Sequence, residues 1–193
     1  MENDLFILIG DSLTFGYGIS KNENWVYKLQ QSLNYNLINK GVNGNTTIDM
    51  LIRFSEDVIA NNPTLIFIMG GTNDLLSNKS LSSIIKNIEL MIKESLSINS
   101  KVILGIPPTI IGSDAYKLFS PSSTYDYCEN ELSKLREELI KLSNKYNLQY
   151  WDFYNLTLEN MYTDIFNDGI HLNIKGQNLL FNYASNTLTH NHP

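Results

Sequence analysis

Asp168 and His171 stand three residues apart in Asp168-Gly169-Ile170-His171. One turn of helix-like backbone puts both side chains on one face. The carboxylate can then hold the ring nitrogen that faces away from a substrate. Gly169 between them permits the tight geometry. The other two histidines, His190 and His192, fall in the last four residues, where chains fray. As a His-x-His pair without a third ligand they make a poor metal site. His171 is therefore the general-base candidate in the body of the fold. A serine hydroxyl needs such a base, because it is a weak nucleophile at its own pKa. Ser12 is placed for that role at the end of an apolar run, with Gly10 before it and Gly16 and Gly18 after it to let the loop approach a ligand. Taken alone, Ser12 reads first as a helix N-cap.

Asn73 follows Gly70 and Gly71. It is either a turn asparagine or an amide donor aimed at a developing oxyanion. Gly44 is either a plain turn glycine or the source of a backbone N–H at the same point. Asp11 and Asp74 read as residues that brace these loops by local hydrogen bonds. Cys128 has Tyr125 and Leu132 at helical spacing, so it reads as a small buried apolar residue and not as a nucleophile.

The elements that must position these residues alternate along the chain. Leu5–Ile9, Tyr35–Asn39, Leu65–Met69, Lys101–Ile106 and Leu148–Phe153 read as strands. Helical patterns lie between them, over Trp25–Leu33, Ile48–Ile59, Leu81–Leu96 and Tyr125–Tyr146. A last helix runs from about Ile174 to Leu188. Continuous apolar strands alternating with amphipathic helices predict a five-stranded parallel sheet covered on both faces, a three-layer α/β/α sandwich. In such sheets ligands bind beyond the carboxyl ends of the strands. That rule gathers the Gly10–Thr14, Gly41–Gly44, Gly70–Asp74 and Asp168–His171 loops at one edge. Residues 107–120 show no clear period. They carry Ile110, Ile111, Tyr116, Leu118 and Phe119, which either wall an acyl pocket or fold back on the core.

The 193 residues are 42% hydrophobic and 18% charged, a composition of one globular domain spanning 1–193. Fourteen Lys and Arg against twenty Asp and Glu give a net charge of −6. That sign disfavours a nucleic-acid partner, and no basic run suits an anionic membrane surface. One cysteine excludes an internal disulfide framework and any multi-Cys metal site. No segment has the length and apolarity of a membrane-spanning helix. The acidic start and short apolar run do not fit a signal peptide, so a cytoplasmic location is expected. Gly16-Tyr17-Gly18 lacks the third glycine of a dinucleotide fingerprint, and no P-loop occurs. Thr14 stands where the G-x-S-x-G elbow has its last glycine. No cofactor is expected.

Gly10-Asp11-Ser12-Leu13, Gly41-Val42-Asn43-Gly44, Gly71-Thr72-Asn73-Asp74 and Asp168-Gly169-Ile170-His171 together resemble the four blocks of the GDSL-type SGNH hydrolases, in that family's order. Asp11-Ser12-Leu13-Thr14-Phe15-Gly16-Tyr17-Gly18 is most similar to the bacterial lipase/esterase members of the thioesterase and lysophospholipase kind. The resemblance implies a flavodoxin-like sheet and a serine hydrolase that cleaves carboxylic esters, or thioesters, of small molecules through an acyl-enzyme. It implies Ser12 as nucleophile, His171 as base, Asp168 as its orienting carboxylate, and an oxyanion hole of Ser12, Gly44 and Asn73. Two alternatives stand beside it. A flavodoxin-like nucleotide or flavin module would hold a chromophore and ignore serine traps. A non-catalytic ester- or carbohydrate-binding member would fail an ester assay.

Overall fold

The computed structural model describes residues 4–33, 36–119 and 122–189, without the side chain of Leu118. Five strands form one parallel sheet: β1 (Leu5–Gly10), β2 (Asn36–Gly41), β3 (Leu65–Met69), β4 (Lys101–Ile106) and β5 (Gln149–Asp152). Their order is β2-β1-β3-β4-β5, all pairs parallel, which is the flavodoxin-like arrangement. The expected three-layer fold class holds. Side chains alternate along each strand, so β1 feeds two cores. Ile7 and Ile9 enter one, and Phe6 and Leu8 the other. The first core is closed by α3 (Thr47–Asp57), α5 (Leu81–Ser97) and α7 (Thr124–Tyr146). The second is closed by α2 (Trp25–Ser32) and α9 (Ile174–Thr189). With both faces covered, β1 and β3 need apolar residues at almost every position.

Strand and helix boundaries differ from the sequence expectations in instructive places. β2 runs two residues past Asn39, because Lys40 and Gly41 keep pairing with Ile9 and Gly10; Tyr35 lies outside the described residues. Four short helices escape the periodicity: α1 (Ser12–Phe15), α4 (Thr72–Leu76), α6 (Gly112–Leu118) and α8 (Phe153–Asn160). α1, α4 and α6 are too short to display two full turns of an apolar stripe, and α8 begins directly at the end of β5, where its first residue, Phe153, reads as strand. Residues 107–120 are therefore not an irregular stretch throughout. α6 forms inside them, and Ile110 and Ala115 are fully buried in the first core. Tyr116 and Phe119 stay exposed, so part of the segment folds back and part faces solvent.

Candidate active site

The sheet presents its carboxyl edge as four loops. β1 ends at Gly10, where a Cβ would collide with the side chain of Thr14 and lie 2.9 Å from the carbonyl oxygen of Met69. The close approach lets the chain turn directly into α1. Asp11 caps that helix, its Oδ1 accepting from the Leu13 amide at 2.9 Å. Ser12 is thus the first helical residue and not the cap. Three side chains hold α1 from below. Asn24 donates to the carbonyls of Thr14 and Phe15, Asn39 donates to Thr14 at 2.9 Å, and the Trp25 indole donates to Leu13 at 3.0 Å. Asn24 also caps α2 through the Val26 and Tyr27 amides. Four residues of helix are thereby fixed without relying on helix propensity.

Ser12 Oγ lies 3.0 Å from His171 Nε2, and His171 Nδ1 lies 2.7 Å from Asp168 Oδ2. The two partners are 159 residues apart in the chain. The Asp168–His171 pairing is made by an Asx-type turn. Asp168 Oδ1 accepts from the His171 amide at 2.7 Å and from the Ile170 amide at 2.9 Å, leaving Oδ2 for the ring. Gly169 sits at φ +81° in this turn. A Cβ there would meet the Ala115 amide nitrogen at 2.7 Å, besides the Ile111 carbonyl. Gly169 O in turn accepts from the Ile111 amide at 2.7 Å. The segment leading into α6 is thereby strapped to the loop that bears the imidazole. Burial raises the pKa of Asp168, but hydrogen bonds from the His171 ring and from the two amides outweigh it, so the carboxyl ends below the ordinary range. It is an anion at neutral pH. The Tyr17 ring leans on the imidazole, with centroids 4.5 Å apart and planes at 44°.

Asn73, the second residue of α4, donates from Nδ2 to the Asn45 carbonyl at 3.0 Å and more distantly, at 3.5 Å, to Asp11 Oδ2. Gly44 lies in the exposed turn that follows β2, where the Asn45 amide donates to the Val42 carbonyl. Neither the Ser12 amide nor the Gly44 amide has a hydrogen-bond acceptor among the described residues. Asp11 and Asp74 act as the braces expected of them. Asp74 accepts from the amide and the hydroxyl of Thr47, both at 2.7 Å, joining α4 to the start of α3. Burial raises the pKa of both carboxyls. Asp11 is pushed up to about 6, against the pull of the Leu13 amide and His171.

All five candidate residues therefore stand at one sheet edge, Ser12 and Asn73 in the first turns of α1 and α4 and the other three in loops, and the Ser12–His171–Asp168 contacts are continuous. Residues 8–179 match the family model described as the GDSL-like Lipase/Acylhydrolase family. The chain belongs to that family. The fold and this membership agree with a solved lipolytic protein of the G-D-S-L family from Desulfitobacterium hafniense. It is 25% identical, covers 95% of this chain and 99% of its own, and has a TM-score of 0.81. Among curated relatives, the uncharacterized lipoprotein YqeF of Bacillus subtilis is 32% identical over 129 residues, 56% of this chain. Esterase TesA of Pseudomonas aeruginosa is 26% identical over 103 residues, 51% of this chain. The chain spans about half the length of these two relatives, 53% and 51%.

Cys128 is fully buried in the first core, and burial first, with Glu129 adding to it, pushes its thiol up to about 12. His190 and His192 lie outside the described residues. Among the described residues no helix is long and apolar enough to cross a membrane. Two contributors to the site carried no chemical signature in the sequence. One is Tyr17 against the imidazole, and the other is Arg53, whose Nη2 donates to the carbonyls of Gly10 and Lys40 at the ends of β1 and β2. Only the position of Tyr17 between two loop glycines, and the scarcity of arginine, two in the chain, could have marked them.

Proposed function

We propose that this chain is a serine hydrolase of carboxylic esters, and of thioesters by the same steps, acting through Ser12, His171 and Asp168. The observation that carries the reading is the continuous contact from Ser12 Oγ to His171 to Asp168, at 3.0 and 2.7 Å. The anionic Asp168 fixes the tautomer in which Nδ1 carries the proton and Nε2 faces the hydroxyl. As Ser12 Oγ forms a bond to the acyl carbon, His171 takes its proton. The same imidazolium then protonates the leaving alkoxide or thiolate, and the acyl group stays on Ser12. Water attacks that ester with His171 again as base, releasing the acid and restoring the hydroxyl. The free amides of Ser12 and Gly44 and the side chain of Asn73 are assigned to the oxyanion of each tetrahedral intermediate. A donor of this type is worth ~10²–10³ in kcat. Tyr17, its ring tilted 44° against the imidazole with centroids 4.5 Å apart, favours the imidazolium that forms in both steps.

Hydrolysis of p-nitrophenyl acetate and butyrate by wild type and Ser12→Ala tests the reading. Wild type is expected to turn over and to gain the mass of a fluorophosphonate at Ser12, and the variant to do neither. Equal rates, or trap labelling elsewhere, would overturn it. A series of p-nitrophenyl esters from two to sixteen carbons, with acyl-CoA and lysophospholipid beside it, then defines the acyl group.

A further inference from the structure

The carboxyl edge carries a structural problem at β2. This strand lies at the border of the sheet and pairs only with β1. The loop it feeds, with Gly44 at its turn, therefore has strand support on one side only. Arg53, on α3, supplies the rest. Its Nη2 donates to the carbonyls of Gly10 at 3.0 Å and Lys40 at 2.9 Å, clamping the ends of β1 and β2 together. Its Nε donates to Asn45 Oδ1 at 2.7 Å. Asn45 O is the acceptor that holds the Asn73 amide, and Gly10 O also receives the Val42 amide at 3.0 Å. The remaining arm of the guanidinium, Nη1, pairs with Asp57 at 2.7 Å, and Lys40 Nζ pairs with the other oxygen of that carboxylate at 2.8 Å. A planar fork of fixed donors suits this task in a way that a point charge on a flexible stem does not.

We propose that Arg53 is a positioning residue for the oxyanion site. One guanidinium sets the spacing of the strand ends that bear Ser12 and Gly44, and through Asn45 it orients the amide of Asn73. The oxyanion part of the inference rests on the hydrolase reading above; the clamp itself does not. Arg53 touches no reacting atom in this scheme, so its removal acts on transition-state geometry more than on substrate binding.

Arg53→Lys and Arg53→Met test it. A displacement on the order of 1 Å in such a site costs ~10² in rate. Both variants are expected to lose ~10²-fold in kcat on p-nitrophenyl butyrate, with KM within about threefold of wild type. Arg136→Met, which breaks the ion pair to Asp152, is expected to keep kcat. Arg53→Lys retains a charge for Asp57 and carries the test if the Met variant does not fold. Independently of turnover, ¹⁵N–¹H spectra are expected to show shifted resonances for the Gly44 and Asn45 amides and the Asn73 side chain in Arg53→Lys, and not in Arg136→Met. Unmoved resonances at those three groups would overturn the proposal, as would a KM rise with kcat unchanged. Moved resonances in a protein whose wild type hydrolyses no ester would instead sink the hydrolase reading and leave the clamp standing.

Discussion

Replacing Asp168 by Asn keeps the shape of the side chain and changes one acceptor oxygen into a donor. The consequence follows from the three hydrogen bonds that Asp168 accepts. The amide oxygen can replace Oδ1 and keep the backbone N–H groups of Ile170 and His171, at 2.9 and 2.7 Å. The NH₂ group then faces His171 Nδ1, which must become an acceptor. The ring proton moves to Nε2, directly opposite Ser12 Oγ at 3.0 Å, and the base is lost. Restoring the productive tautomer requires flipping the carboxamide so that its NH₂ confronts two N–H groups. Leaving two such donors unsatisfied costs ~2–6 kcal/mol. At ~1.4 kcal/mol per factor of ten, the productive form is suppressed between about thirtyfold and ~10⁴-fold. The variant also lacks the negative charge that stabilises the imidazolium, which places the expected loss of kcat at ~10³–10⁴. The assay is steady-state hydrolysis of p-nitrophenyl butyrate at neutral pH, with a thermal melt as the control for folding. A folded variant retaining kcat within fivefold of wild type would refute the tautomer argument.

Asn73→Ala is expected to lower kcat by ~10²–10³ with little change in KM, and a change in KM alone would remove Asn73 from the oxyanion site. Asp11, with its folded pKa raised to about 6 from 3.8, binds its proton more tightly folded than unfolded, so its share of stability falls as pH rises through that window. Asp11→Asn is expected to flatten the dependence of Tm on pH between about 4 and 6, and an unchanged slope would show that another group is responsible. Gly169→Ala must hold alanine at φ +81° against the backbone of Ile111 and Ala115. It is expected to lower Tm by the equivalent of at least ~1–2 kcal/mol and to cut kcat, both read on the same preparation. Cys128, buried with its thiol near 12, is expected to react with a thiol reagent only at the rate of unfolding. Rapid labelling of native protein would contradict the burial.

The legibility of the site in the sequence divides by the range of the interactions. Strand ends were readable because a buried parallel strand is a continuous apolar run that stops abruptly, as LFILI and LIFIM do. The residues just beyond those stops, Ser12 and Asn73, followed from that reading. Asp168 and His171 were readable as a pair because three residues separate them. What was not readable depends on contacts across the chain. Arg53 reaches Gly10, 43 residues away, from a helix whose pattern marks it only as polar. α6 forms because Ile110 and Ala115 find the first core and Gly169 offers a bare backbone, and no period within residues 107–120 announces that. Tyr17 lay in full view, but its contact with His171 requires the whole fold to bring the two ends of the chain together.

The union of the Gly169 turn with the segment entering α6 also bears on redesign. A segment beside the candidate acyl site invites wholesale exchange to change substrate preference. Here that segment and the imidazole form one mechanical part, since Ile111 N–H is tied to Gly169 O and the Ala115 backbone fills the space above Gly169. Exchanging the segment would disturb the turn that holds the base, whereas Tyr116 and Phe119, both exposed, can be changed without touching that tie. The chain thus offers its engineer two adjustable positions on a fixed frame, and not a replaceable module.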